Sequence, residues 1–256
     1  MRQVITIVVI LAVASCGWFK ATKDPTEGWS AERLYEYAKG KLDQGNYTDA
    51  IEYYEKLEAR YPFGIYGQQA LLDVAYAYYK NEEPDSAIAA CERFIKLYPQ
   101  HPHVDYAYYL KGLSNFNRGK KLIHVYLPLD LSQRDPGSAL QAFRDFQVLV
   151  KNYPDSIYDE DAKLRMLYLR NMLARYEVNV AHYYMRRSAY LAAANRSRYV
   201  IENYPRATAV PDALAVMCKA YKVMGLDELS DDALRVLKTN YPEHPEIAEL
   251  DSIVIQ

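Results

Sequence analysis

Cysteine is scarce. The chain of 256 residues holds three, Cys16, Cys91 and Cys218, too few and too widely spaced for a disulfide framework or a zinc site. Charge of one sign is also missing. The formal net charge is −2, so no global field draws the chain toward nucleic acid or an acidic substrate. There is no Gly-rich phosphate loop, no Gly-x-Ser-x-Gly and no His-Glu-x-x-His, the short motifs that carry common chemistries. Carboxylates lie singly on helix faces or in turns. The sequence argues against an enzyme and implies no cofactor. Long hydrophobic runs are absent as well. The amino-terminal run, residues 4–13, has ten residues and is broken by Thr6, too short to span a bilayer. What is present is ample apolar material for a core, 50% of the chain, and heavy use of tyrosine, 26 against 6 Phe. Tyrosine suits half-buried groove walls, because the ring packs while the hydroxyl reaches water.

A phrase recurs: an Ala, then Tyr-Pro ending twelve residues later. It appears at Ala50 to Pro62, Ala87 to Pro99, Ala142 to Pro154 and Ala193 to Pro205, and once with Ser at Ser230 to Pro242. The Pro-to-Pro intervals are 37, 55, 51 and 37 residues. A unit of this length is the mark of a helical solenoid. Ser30 is a plausible N-cap, followed by Leu34, Tyr37, Ala38 and Leu42 at helical spacing. Gly45-Asn46 turns the chain, Ala50, Tyr54 and Leu57 face inward on the second helix, and Pro62 stops it. This matches the tetratricopeptide pattern.

The later units follow: Leu71, Val74, Ala75 and Tyr78 with Ala87, Cys91 and Phe94; Gly112 with Ala142, Phe146 and Leu149; Val180, Ala181 and Tyr184 with Ala193 and Val200; Leu214, Met217, Cys218 and Tyr221 with Leu234 and Leu237. A long helical stretch from about Asp159 precedes the fourth. The expectation is an all-α tetratricopeptide-repeat solenoid of five helix-turn-helix repeats in a right-handed superhelix. It occupies 30–256, with an amino-terminal half 30–117, an insertion 118–137 in repeat three and a carboxy-terminal half 138–256. The insertion is apolar, so it folds back on the solenoid or meets a partner.

The amino terminus reads as a targeting segment. Arg2 is the basic region, residues 4–13 the apolar one, and Val13-Ala14-Ser15-Cys16 resembles a bacterial lipobox. The resemblance implies a signal peptide over 1–15 and lipidation of Cys16. Gly17 follows rather than Asp, which favours the outer membrane, periplasmic face. Residues 16–29 read as a lipidated tether.

His101-x-His103 has metal-ligand character. His244 nevertheless holds the same place after its own Tyr-Pro, which favours a turn role and no metal. From Lys163 to Arg198 eight basic residues face one acid, Glu177, so this stretch carries +7 and the rest −9. Two readings stay open: neutralisation by Asp155 to Asp161 and Glu202, or a basic face for an acidic protein surface.

Arg60-Tyr61-Pro62-Phe63-Gly64-x-Tyr66-x-Gln68-Gln69, Tyr76-Ala77-Tyr78-Tyr79-Lys80, Arg93-Phe94-Ile95-Lys96-Leu97, Lys111-Gly112-Leu113, Arg134-Asp135-Pro136, Ala181-x-Tyr183-Tyr184 and Asn195-Arg196 resemble the BamD family. That family comprises lipoproteins of the outer-membrane β-barrel assembly machine. The resemblance covers nearly the whole mature chain. It implies a non-enzymatic scaffold that binds unfolded outer-membrane β-barrel clients, docks on a POTRA domain of BamA, and works beside other Bam lipoproteins. Tyr61, Pro62, Phe63 and Tyr66 match the client-side segment. Arg196 matches the arginine that pairs with a POTRA carboxylate, and Arg186 and Arg187 lie in the same basic stretch. An adaptor for cell-envelope or division enzymes is the alternative.

Overall fold

The structure, a computed structural model, describes residues 24–118 and 136–252. The lipidation expected at Cys16 and nearly all of the 118–137 insertion lie outside the described residues. Among the described residues there are eleven helices and no strand: α1 (Ala31–Asp43), α2 (Tyr47–Arg60), α3 (Ile65–Lys80), α4 (Pro84–Leu97), α5 (Val104–Arg118), α6 (Gly137–Asn152), α7 (Asp159–Arg186), α8 (Tyr190–Asn203), α9 (Val210–Val223), α10 (Asp227–Asn240) and α11 (Ile247–Ser252). None of them is long and apolar enough to cross a membrane. Taken in order, α1 to α10 form five consecutive pairs. The first helices of neighbouring pairs also touch, α1 on α3, α3 on α5 and α7 on α9, so first helices line up in a row.

The Tyr-Pro phrase has one geometry wherever it occurs. Tyr61, Tyr98, Tyr153, Tyr204 and Tyr241 each cap the second helix of a pair, with φ between −139° and −124° and ψ between 53° and 62°. Each still donates its backbone N–H to the carbonyl four residues back, for example Leu57 and Phe94. The following proline bars the helical conformation at the Tyr and removes the next donor, so the helix ends there. Two residues after the proline comes an acceptor. His101 Nδ1 takes the His103 N–H at 3.1 Å, Ser156 Oγ the Tyr158 N–H at 3.2 Å, and His244 Nδ1 the Glu246 N–H at 3.4 Å. The recurring histidine is thus a turn element that satisfies an orphan amide at the next helix start.

Two large cores form. Leu34, Tyr54, Leu57, Leu71, Phe94 and Leu110 belong to one, spanning α1 to α5. Phe146, Leu149, Leu169, Leu173, Leu214 and Leu237 belong to the other, spanning α6 to α10. They meet at α5, where Gly112 lies against the buried Phe146 ring. A Cβ there would fall 2.5 Å from Phe146 Cε1.

The sequence expectations need three adjustments. Val180 is only half-buried while Val178 is fully buried, because α7 runs unbroken for 28 residues and sets its own register. Tyr37 is 40% exposed and packs at the rim on Trp29 and Tyr53, with ring centroids 5.4 and 4.5 Å away. The folded body also includes residues 24–29, ahead of Ser30, for reasons that belong to the site.

Candidate functional site

The amino-terminal candidate is built on the turn between α2 and α3. Tyr61 ends α2, Gly64 takes φ +95°, and α3 starts at Ile65. Gly67 lies on the first turn of α3 directly against the Tyr61 and Pro62 backbone, a Cβ there falling 2.6 Å from the Tyr61 carbonyl oxygen. Only glycine permits that approach. The turn therefore projects outward, and Phe63 and Ile65 are 86% and 75% exposed.

Residues 24–29 brace this turn. Arg60 pairs with Asp24 and donates from Nη1 to the Thr26 carbonyl at 2.7 Å. Tyr61 donates its hydroxyl to the Trp29 carbonyl at 2.8 Å. Thr26 is fully buried, with its N–H and hydroxyl both donating to Asp24 Oδ1. Arg33 lies over the Trp29 ring at 4.2 Å. The carboxy-terminal end of the stretch read from sequence as a tether is packed, because Arg60 and Tyr61 supply partners that its irregular sequence does not advertise.

Beside the turn lies an open cleft of about 350 Å³, lined by Tyr35, Ile65, Tyr66, Gln68, Gln69, His101, Pro102 and His103. It sits on the row of first helices. Tyr35 and Tyr66 stand 5.6 Å apart. Asp73 organises the floor, accepting from Tyr35 Oη at 2.9 Å, Tyr54 Oη at 3.2 Å and Gln69 Nε2 at 3.0 Å. Burial, with the Asp73 charge, raises the Tyr35 pKa, so Tyr35 stays a neutral donor. Burial, aided by His103, lowers that of His101. Of the four residues expected here, Tyr66 lines the cleft, while Tyr61 turns its hydroxyl to Trp29, and Pro62 and Phe63 lie in the turn that precedes α3. Tyr35, Asp73 and His103 were not singled out from sequence for this site. The abundance of tyrosine was the available signal for the first.

The carboxy-terminal candidate is Arg196 on α8. Its Nη1 donates to Glu177 Oε2 on α7 at 3.1 Å. Partial burial opposes the Arg196 charge, yet Glu177 and Tyr184 outweigh it and hold the pKa above its usual value. Arg186 and Arg187 are exposed at the end of α7, and Arg187 lies over the Tyr183 ring at 5.8 Å. Arg186 is nine residues beyond Glu177, about 14 Å along the helix at 1.5 Å per residue. Much of the basic stretch is neutralised locally. Lys163 pairs with Asp159 and Glu160, Arg165 with Asp161, and Arg175 with Asp212.

The chain matches the family model described as YfiO, outer membrane lipoprotein, over residues 28–237. It is 42% identical over 247 residues to the outer membrane protein assembly factor BamD of Neisseria meningitidis serogroup A, covering 95% of this chain and 92% of the relative. The protein of that name from Vibrio cholerae is 35% identical over 235 residues, covering 92% and 98%. Among solved structures, a thermophilic TPR protein of Thermus thermophilus is 11% identical, with a TM-score of 0.37 over 87% of this chain and 98% of that one. The helix pairing described above, rather than that score, carries the fold. On the family model and the extent of the sequence matches, the chain belongs to the BamD family of outer membrane protein assembly factors.

Proposed function

We propose that this chain is a lipid-anchored scaffold of the β-barrel assembly machine with two binding sites and no catalytic step of its own. The signal peptide 1–15 is removed and Cys16 carries the lipid that holds the protein to the periplasmic face of the outer membrane. The cleft of Tyr35 and Tyr66, with Tyr61, Pro62 and Phe63 in the turn that leads into α3, receives the extended terminal strand of unfolded β-barrel clients. Aromatic walls and fixed amide and imidazole groups suit an extended peptide with a terminal aromatic residue. Arg196 meets a carboxylate of the BamA POTRA domain, with Arg186 and Arg187 adding positive charge further along α7. Other Bam lipoproteins share the assembly.

The observation that supports this most is the separation of the two features. The open cleft belongs to the core of α1 to α5 and Arg196 to the helices beyond it, so client and partner have separate surfaces. Binding of the POTRA domain to the wild type and to Arg196→Glu is the direct test. A loss of about 2–5 kcal/mol is expected for a buried pair, and unchanged affinity sinks the role given to Arg196. A pull-down with the lipid anchor intact tests the rest: a BamA-type barrel supports the reading, and a peptidoglycan enzyme in its place refutes it.

A further inference from the structure

The Glu177 side chain is 11% exposed, whereas that of Arg196 is 45% exposed. The carboxylate is therefore the fixed member of the pair and the long arginine the adjustable one. Their hydrogen bond uses Nη1. Tyr184 on α7 also hydrogen-bonds the guanidinium, and of its five N–H donors those not taken by Glu177 and Tyr184 are left for a second carboxylate. The helix pair α7 and α8 thus holds Arg196 from behind while half of its surface stays open.

We propose that Glu177 is a positioning residue: it pins Arg196 through Nη1 and presents the exposed remainder of the guanidinium to an acidic group on the partner protein. This rests on the role given to Arg196 above. The physical gain is pre-organisation. A free arginine loses rotamer freedom when it binds, and one already held by a buried carboxylate loses less. The opposing reading is competition, in which Glu177 neutralises Arg196 and weakens the partner's hold.

The full-length lipidated chain, extracted in mild detergent, is titrated with the POTRA domain as probe. Glu177→Ala should bind about tenfold more weakly. Glu177→Gln should restore most of the affinity, since its amide oxygen still accepts from Nη1. Glu177→Asp keeps the charge but is one methylene short, and should draw Arg196 back and weaken binding, which keeps the test decisive if Glu177→Ala does not fold. In an Arg196→Ala background the Glu177 substitutions should add nothing. Unchanged or tighter binding by Glu177→Ala overturns the proposal, and so does an Asp variant that binds normally beside a Gln variant that does not. If Arg196→Ala itself binds like the wild type, the reading of Arg196 fails instead.

Discussion

Replacing glycine by alanine at two helical positions should move stability in opposite directions. Gly40 lies within α1, and a Cβ there meets nothing within 4 Å. Ala is favoured over Gly in a helix interior by about 0.8–1.0 kcal/mol, so Gly40→Ala should stabilise by about that much. Gly67 differs. Its Cβ would lie 2.6 Å from the Tyr61 carbonyl oxygen and 3.0 Å from the Pro62 carbonyl carbon and oxygen. These are backbone atoms, so no rotamer change relieves the contact. The turn must shift, and overpacking of this kind costs about 1–3 kcal/mol. Less than the full helix gain offsets it, because Gly67 is on the first turn. The two substitutions should therefore differ by about 1–4 kcal/mol. In a solenoid each unit contacts mainly its neighbours, so the loss should concentrate near α2 and α3. Urea unfolding gives the midpoints, and amide exchange at Tyr61 and along α3 locates the change. Displacing the turn also moves Phe63, so client-peptide binding should fall with stability. A Gly67→Ala protein as stable as Gly40→Ala would refute the reasoning.

Three further outcomes follow from the packing and the titrating groups. Gly112→Ala should destabilise by about 1–3 kcal/mol, since its Cβ meets three Phe146 ring atoms at 2.5–2.9 Å. With Phe146→Leu added, the loss measured by urea unfolding should be smaller than the sum of the single losses. Burial lowers the His182 pKa, Glu246 and Asp212 oppose that, and Arg186 and Lys219 add to it. The unfolded chain then binds the proton more readily, so stability should drop as pH falls from 7 through about 6.5 toward the lower folded value. Urea midpoints across that range should show a smaller drop for His182→Asn. Burial raises the pKa of both the Cys91 and Cys218 thiols, so neither should be alkylated by iodoacetamide near pH 8 until denaturant is added.

The fold was legible because the signals that define it are local and repeated. Tyr-Pro stops a helix by backbone chemistry alone, and Ala50, Ala87, Ala142 and Ala193 are all fully buried where helices cross. His101 could be read as a turn residue because His244 repeats its position. The cleft was only partly legible. Tyr66 was found through a family resemblance, but Tyr35 and Asp73 belong to different helices, and nothing in their local spacing says that they meet. The packing of Asp24 and Thr26 on Arg60 was hidden for the same reason, being a contact across more than thirty residues. The charge excess from Lys163 to Arg198 left two readings open, and a linear count could not choose between them because it misses Asp212, which approaches Arg175 from the next helix pair.

The joint between the two cores offers the sharpest test of how they are coupled. Lys111 on α5 reaches Glu92 on α4 at 2.9 Å and Asp145 on α6 at 3.3 Å. Asp145 is also held by Asn115 at 2.7 Å and Gln141 at 3.1 Å. Even so, burial outweighs Lys111 and both amides, and the Asp145 pKa is raised. A raised carboxylate pKa means that ionised Asp145 costs the folded state more than its partners return. The Lys111 pKa is raised too, Glu92 and Asp145 together outweighing burial there, so the shortfall lies on the Asp145 side, the more deeply buried member of the pair. Asp145→Asn should leave stability at pH 7 within about 1 kcal/mol of the wild type, because the two amides can reorient to satisfy it and Lys111 keeps Glu92. Lys111→Met should cost about 3 kcal/mol, since it strands a buried carboxylate. The same inequality predicts that the Lys111→Met loss shrinks on acidification, as Asp145 takes up a proton. Equal losses from the two variants, or a Lys111→Met loss that does not vary with pH, would show that the pair itself holds α4, α5 and α6 together. On the present geometry the close packing of Gly112 on the Phe146 ring joins the two cores instead.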